Sequence, residues 1–209
     1  MRHAGCRKTI PHETTTPYPD PAVRAGGGSR HGTTVTHTYD PEGGLALHEG
    51  GPDWWCGYSY SWFGNMKARA FDGEGAYNAL KTFADCFCLP NTFHANGDQS
   101  GTGKSKFTYR PFTLEGHFAF AAGIQEMLLQ SHTDTIRIFP AVPQAWKDIS
   151  FDKLRARGAF LVSAEKKDGR IVSARILSKK GGRLRVISPF TGEVIDRPTE
   201  AGELIVLDK

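Results

Sequence analysis

No stretch of this 209-residue sequence is apolar for long enough to cross a bilayer, which takes about 20 consecutive apolar residues. No membrane insertion is expected. Cysteine is scarce. Cys6, Cys56, Cys86 and Cys88 fit neither a dense disulfide framework nor a paired C-x-x-C zinc site, so no metal and no other cofactor is expected. Cys86 and Cys88 stand too close for an unstrained bridge along a helix end, and the four read as free thiols. A concentrated basic stripe is also missing. The net charge is +4, from 26 Lys and Arg against 22 Asp and Glu, and the basic residues of the last third alternate with apolar ones as strand faces do. That argues against nucleic acid as a partner. Met1 to Ile10 is basic but contains no apolar core of the secretory kind, so it does not read as a signal.

The 24 glycines and 12 prolines are on the high side and cluster in the first half. Residues 1–52 hold Thr14-Thr15-Thr16-Pro17, Pro19-Asp20-Pro21 and Gly26-Gly27-Gly28, with almost no apolar periodicity. Such a stretch buries too little surface to offset its ordering entropy and is expected to be irregular and disordered. His3, His12, His31, His37 and His48 fall in it at irregular spacings and read as scattered loop histidines.

From Asp53 the composition changes. Trp54, Trp55, Tyr58, Tyr60, Trp62 and Phe63 fall in one short window, and Trp62, Phe63, Met66 and Ala70 follow helical spacing. Asp72-Gly73 breaks the pattern, with Asp72 placed to cap a second helix. Ala76, Tyr77, Leu80, Phe83, Ala84 and Phe87 form an i, i+3, i+4 stripe, so residues 74–87 read as an amphipathic helix that Leu89-Pro90 stops. A helix over 116–130 is apolar almost all round, with Gln125, Glu126 and Gln130 as its polar wedge. A helix of that kind is buried by other helices, and three helices cannot easily surround it. Partner helices are expected beyond this chain.

Between the last two helices lies a polar loop whose Gly101-Thr102-Gly103-Lys104-Ser105 imitates a phosphate-binding loop. That motif needs G-x-x-x-x-G-K-[ST], and the position five before Gly103 is Asp98, with Gly97 one step too early. No apolar strand leads in and no helix leads out, so a surface loop is expected. After His132 the period becomes alternating. Strands are expected over 135–139, 159–165, 171–177, 184–187 and 203–207, with turns at Asp168-Gly169, Gly181-Gly182 and Pro189 to Gly192. Regular short strands of this kind suggest an antiparallel sandwich.

One stretch concentrates chemistry: Arg110-Pro111-Phe112-Thr113-Leu114-Glu115-Gly116-His117-Phe118-Ala119. A carboxylate stands beside a glycine at a helix start with aromatics around it, a common placement for a catalytic acid or base. Further words come in order: Glu126-Met127-Leu128-Leu129-Gln130-Ser131-His132, then Pro140-Ala141-Val142-Pro143-Gln144-Ala145-Trp146, then Leu154-Arg155-Ala156-Arg157-Gly158-Ala159-Phe160. Upstream stand Gly57-Tyr58-Ser59-Tyr60-Ser61-Trp62, Ala68-Arg69-Ala70-Phe71-Asp72-Gly73 and Pro90-Asn91-Thr92-Phe93.

Together these words, over residues 53–209, resemble glycoside hydrolase family 95, the α-L-fucosidase-like enzymes. Family members carry P-P-F-x-[IV]-D-G-N-F-G, E-M-L-L-Q-S-H, P-A-[LI]-P-x-x-W and L-[RK]-A-R-G-G-F. The resemblance implies an α+β chain. Residues 53–132 would be the last helices of an (α/α)6 toroid, and residues 133–209 a small antiparallel β-sandwich domain. It implies an inverting glycosidase acting on α-L-fucosides or related α-L-galactosides, with a carbohydrate substrate and an extracellular or periplasmic setting. The family's upstream half, which carries the general acid, is not matched here. The chain therefore resembles a divergent, truncated C-terminal part whose partner is the missing N-terminal half of the catalytic domain. By itself it would be inactive.

In the family motif Glu115 stands where an aspartate is usual, His117 where an asparagine is, and Ala119 where a glycine is. The resemblance gives Glu115 the base side of the reaction, and the plain alternative is charge stabilisation of a helix N-terminus. His117 reads as a ligand for a sugar hydroxyl or as a structural histidine. Trp55, Trp62 and Phe112 read as apolar walls against a sugar ring, with Trp62 serving the core as well. Arg110 reads as a hydroxyl ligand, a partner of Glu115, or an exposed arginine. The second class of function kept open is a non-catalytic fragment whose β domain packs or binds carbohydrate.

Overall fold

A computed structural model describes residues 52–207 and, before them, the backbone of the short strands β1 (Ser29–Arg30), β2 (Thr33–Thr34), β3 (Thr36–Tyr39) and β4 (Leu45–His48). β1 pairs with β2 and β3 with β4, both antiparallel. Most of the segment expected to be irregular lies outside the described residues, as do its histidines' side chains.

Three helices come next: α1 (Gly57–Arg69), α2 (Gly73–Phe87) and α3 (Leu114–Leu128). α2 begins where the sequence puts it. Asp72 caps it, accepting from the Gly75 N–H at 2.7 Å, and pairs with Lys67 at 2.9 Å. The expected stripe on α2 is its buried face, with Ala76, Leu80, Phe83 and Phe87 in the core. α1 differs from its apolar pattern. Its buried face is Gly57, Tyr60, Ser61, Gly64 and Ala68, while Trp62, Phe63 and Met66 are half-buried. Small residues let α2 approach closely, and Leu80 fills the space over both Gly64 and Gly123 of α3.

α1 and α3 also meet along one edge. Asn65 Nδ2 donates to the carbonyl of Ala119 at 2.6 Å, and Arg69 pairs with Glu126 at 3.3 Å. α1 and α3 run the same way and α2 runs against them. One end of the unit therefore collects the starts of α1 and α3 and the end of α2. α3 turns its polarity over relative to the sequence expectation. Glu126 faces α1, whereas Leu114, Phe118, Ala121 and Ala122 are exposed. The helix ends at Leu128 rather than Gln130, because Leu129–Gln130 forms strand β5 against β6 (Arg137–Ile138).

The rest is antiparallel β structure, so the chain is α+β. β7 (Ile149–Ala156), β8 (Phe160–Lys167), β9 (Arg170–Ser178) and β12 (Leu204–Leu207) form one sheet in the order β12-β9-β8-β7. β10 (Gly182–Ile187) and β11 (Val194–Thr199) pair separately. Ile136 bonds across to Arg185 and Ile187, which ties β6 to β10 and makes a second layer. Ile136, Ile138, Phe160, Val162, Ile176, Leu184, Val186 and Ile205 fill the space between the layers. The Asp168-Gly169 turn between β8 and β9 has the positive φ values that a two-residue hairpin loop requires, and Gly181-Gly182, also at positive φ, carries the chain from β9 into the other layer.

The helical and β units are bonded together at the far end of α2. Phe139 and Ala141 N–H groups donate to the Leu128 and Met127 carbonyls. Gly73 lies against the Val142 backbone, where a Cβ would come within 2.7 Å. Tyr77 and Trp146 meet edge-on with ring centroids 5.8 Å apart. Gln130, 1% exposed, donates to the Ala68 carbonyl at 2.8 Å. Arg157 holds the linker by donating to the His132 carbonyl at 3.0 Å and to Asp134 at 3.1 Å. The sequence words E-M-L-L-Q-S-H, P-A-V-P and L-R-A-R-G are thus the words of this joint.

Candidate active site

Glu115 lies in the first turn of α3 and is exposed. It shares an edge of that helix with Ala119 and Glu126 by helical spacing, and both of these engage α1. On α1 the matching edge is Tyr58, Trp62, Asn65 and Arg69. Gly57 of α1 and Gly116 of α3 both abut the His94 ring, and Gly64 and Gly123 both abut Leu80, so the start of α1 stands level with the Glu115–Gly116 turn. Trp62, half-buried, lies more than one helical turn further along α1 than that level. The starts of α1 and α3 both lie at this end, so the carboxylate sits near the positive ends of two helices.

Phe112, Arg110 and His117 each engage the loop over 92–99. Phe112 is 51% exposed and tilts against Phe93, itself 56% exposed, at a centroid distance of 5.1 Å. Arg110 is exposed and its Nε donates to Gln99 Oε1. Glu115 is not its ion-pair partner among the described residues. His117 Nε2 bonds the Thr92 carbonyl at 2.7 Å, and its Nδ1 is covered without a hydrogen-bond partner. His117 thereby fixes Thr92, a β-branched residue held at φ 69°, in the turn that presents Phe93.

Behind these residues is one that sequence reasoning does not find. His94 is 1% exposed. Its Nδ1 lies 2.8 Å from the Thr113 carbonyl and 2.9 Å from the Thr113 hydroxyl. Its ring lies tilted against Phe83 at 4.9 Å and 6.0 Å from the His117 ring. Gly57 and Gly116 leave the room for it: a Cβ on Gly57 would fall 2.2 Å from Nε2, and one on Gly116 2.4 Å from Nδ1. Burial, the largest influence, lowers the His94 pKa. The Thr113 bond and the Glu115 charge oppose this, the nearby His117 reinforces it, and the net direction is down. His94 lies in a polar loop without periodicity, so the spacing of apolar residues carries no signal for it. Its glycine partners are distant in sequence.

The loop between His94 and Thr113 is built around Asp98, 7% exposed. Its carboxylate accepts from the Ser100 N–H at 2.8 Å, the Ser100 hydroxyl at 2.6 Å and the Ser105 N–H at 3.2 Å. Burial pushes its pKa up, but these bonds, with one from the Lys104 N–H, outweigh it and the net shift is downward. The N–H groups that a phosphate-binding loop turns to its ligand are here turned to the chain's own carboxylate. Lys106 pairs with Asp53 at 2.7 Å, so the loop also pins the approach to α1. Tyr60 lies below, and its pKa is pushed up to about 12 by burial first, then by Cys86, Asp98 and Asp53.

Cys56, Cys86 and Cys88 are free thiols, and the described residues contain no cluster of three or more metal-ligating side chains. No helix among them is long and apolar enough to cross a membrane. A shallow recess lined by Ala145, Trp146, Lys147, Asp148 and Ile149 lies at the joint with the β unit. It is at the other end of α2 from Glu115.

Two family models match this chain in order. Residues 46–128 match the family model described as the glycosyl hydrolase family 95 catalytic domain. Residues 130–202 match the one described as the glycoside hydrolase family 95 C-terminal domain. Alpha-L-fucosidase 2 of Arabidopsis thaliana is 30% identical over 165 residues, covering 75% of this chain and 19% of that protein. The chain thus spans about a fifth of the length of the curated relative it matches. With both domain models matched in order on either side of the α3–β5 junction, the chain belongs to glycoside hydrolase family 95.

Proposed function

We propose that this chain supplies the water side of an inverting glycosidase site, with Glu115 as the carboxylate that works on the attacking water. The substrate class is an α-L-fucoside or a related α-L-galactoside. Residues 53–132 form the last part of the helical catalytic domain, an arc of a helical toroid, and residues 133–209 its C-terminal β domain. The general acid comes from the remaining part of that catalytic domain, which also covers the exposed face of α3. In inversion the two carboxyl groups stand ~6.5–9.5 Å apart, leaving room for water between them.

The observation that carries this reading is the position of Glu115. It is exposed in the first turn of α3, on the edge that faces α1 and beside the start of that helix. Trp62 and Phe112 give walls for the sugar ring, and Arg110 and His117 border the turn. Glutamate in place of the usual aspartate extends the carboxylate by one carbon–carbon bond, about 1.5 Å. That extension either suits a different sugar or abolishes base function, and the assay below separates the two. A sugar-binding role for the β unit has less support. Its exposed large apolar residues are the aliphatic Val172, Val194, Leu204 and Val206, which offer no ring to stack on a sugar.

The test is Glu115→Gln in a protein where this chain is joined to the remaining part of a family 95 catalytic domain, assayed on aryl α-L-fucosides and α-L-galactosides. Loss of general-base help should cut turnover by ~10²–10⁴-fold. Turnover within a few-fold of the unsubstituted protein would reduce Glu115 to a helix-end charge. The 209-residue chain by itself should not hydrolyse either substrate, since it brings one carboxylate to a two-carboxylate displacement.

A further inference from the structure

His94 is the most enclosed imidazole among the described residues, and the chemistry proposed above leaves it without a task. Its contacts are specific. The Thr113 carbonyl can only accept, so at 2.8 Å the His94 Nδ1 must carry the proton and donate. Nε2 is then a bare acceptor. It finds no hydrogen-bond partner and faces Gly57, the first residue of α1. The positive end of that helix disfavours a proton there, which fixes the tautomer.

Thr113 is the N-cap residue of α3, and its hydroxyl makes no capping bond to the helix. The hydroxyl lies 2.9 Å from His94 Nδ1 instead. Gly116 presses its Cα face on the same ring, with no room for a Cβ. His94 therefore touches the residues on both sides of the Leu114–Glu115 pair. The backbone from which the carboxylate projects is held at Thr113 by a hydrogen bond and at Gly116 by contact. Gly57, against Nε2 on the far side of the ring, and Phe83, tilted against it at 4.9 Å, enclose His94 and limit its retreat.

We infer that His94 is the positioning residue for Glu115, a neutral, single-tautomer wedge that sets the direction in which the first turn of α3 presents its carboxylate. The inference rests on Glu115 being the water-side carboxylate. Displacements of about 1 Å in a reacting group cost on the order of 100-fold in rate, so a wedge on both flanks of Glu115 acts on turnover rather than on substrate binding.

Two measurements test it. In the 209-residue chain, nitrogen NMR of the imidazoles should show His94 as the Nδ1–H tautomer with a bare Nε2 at neutral pH. An Nε2–H tautomer or a charged ring would overturn the wedge outright. In the joined protein of the preceding assay, His94→Phe keeps a ring against Phe83 and removes the donor. It should lower kcat about 10-fold or more, with KM changed by less than about threefold. His94→Asn puts an amide N–H the same number of bonds from Cα as Nδ1 and should restore kcat to within about threefold. Equal melting temperatures for the two variants separate positioning from folding. Wild-type kcat in a folded His94→Phe protein, with Glu115→Gln inactive, overturns the positioning role and leaves the catalytic reading standing. An active Glu115→Gln protein overturns both.

Discussion

At the scale of single residues the wedge makes quantitative demands. Gly116→Ala puts a methyl 2.4 Å from His94 Nδ1 and 3.0 Å from the Phe83 ring, and the imidazole has Gly57 behind it. Overpacking of this kind costs ~1–3 kcal/mol, and thermal melting should show the loss. Combining Gly116→Ala with His94→Ala should recover part of it, a non-additivity expected only of residues in contact. His94 also predicts a pH response. Its folded pKa lies below the ordinary value of about 6.5, so the unfolded chain takes up the proton first. Stability is full above the unfolded value and declines as pH falls from there toward the folded pKa. The drop in melting temperature between neutral and mildly acidic pH should shrink in His94→Phe. Glu115, Trp62, Arg110, Phe112 and His117 are legible as candidates because they sit in motif words. His94 is not, because its partners Gly57, Thr113 and Gly116 meet only once the helices pack.

At the scale of elements, the sequence reads best where one face alone is apolar. α2 and the strands on either side of the Asp168-Gly169 and Gly181-Gly182 turns fall close to their expected bounds. β7 escapes because a bulge at Asp152-Lys153, with Lys153 at φ 54°, breaks its alternation. β11 escapes because it holds Pro198 and two charges, a composition tolerated on an edge strand. α1 hides its buried face in glycine, serine and alanine, which hydropathy does not register. The loop over 97–105 is no phosphate cradle, as its motif spacing says, but its order is invisible in the sequence, since it comes from one internal carboxylate. Asp98→Asn should remove the charge that collects those N–H groups. Hydrogen bonds to charged groups contribute ~1.5–3 kcal/mol. Limited proteolysis should then cut the loop far faster than in the unsubstituted chain, at unchanged helix content.

At the scale of the whole molecule, the joint between helices and sandwich is dense, while the outer side of α3 is bare. Phe118 is 67% and Leu114 51% exposed on a helix whose sequence asks for partners on every side. The isolated chain should therefore bind a hydrophobic dye and self-associate, and Phe118→Glu should reduce both. A dye-negative monomer would show that this face needs no cover. The dense joint has a mechanical side. α3 passes from Leu128 straight into β5 at Leu129 with no spacer, and Gln130 bolts that point to α1. The helix is 15 residues long, a lever of about 22 Å with its fulcrum in the sandwich and Glu115 at its tip. A tilt of about 3° at the fulcrum swings such a tip by roughly 1 Å. The aim of the carboxylate is thus set as much by how the sandwich seats the lever's foot as by what surrounds its tip, and a substitution deep in the β unit can misalign it without touching it.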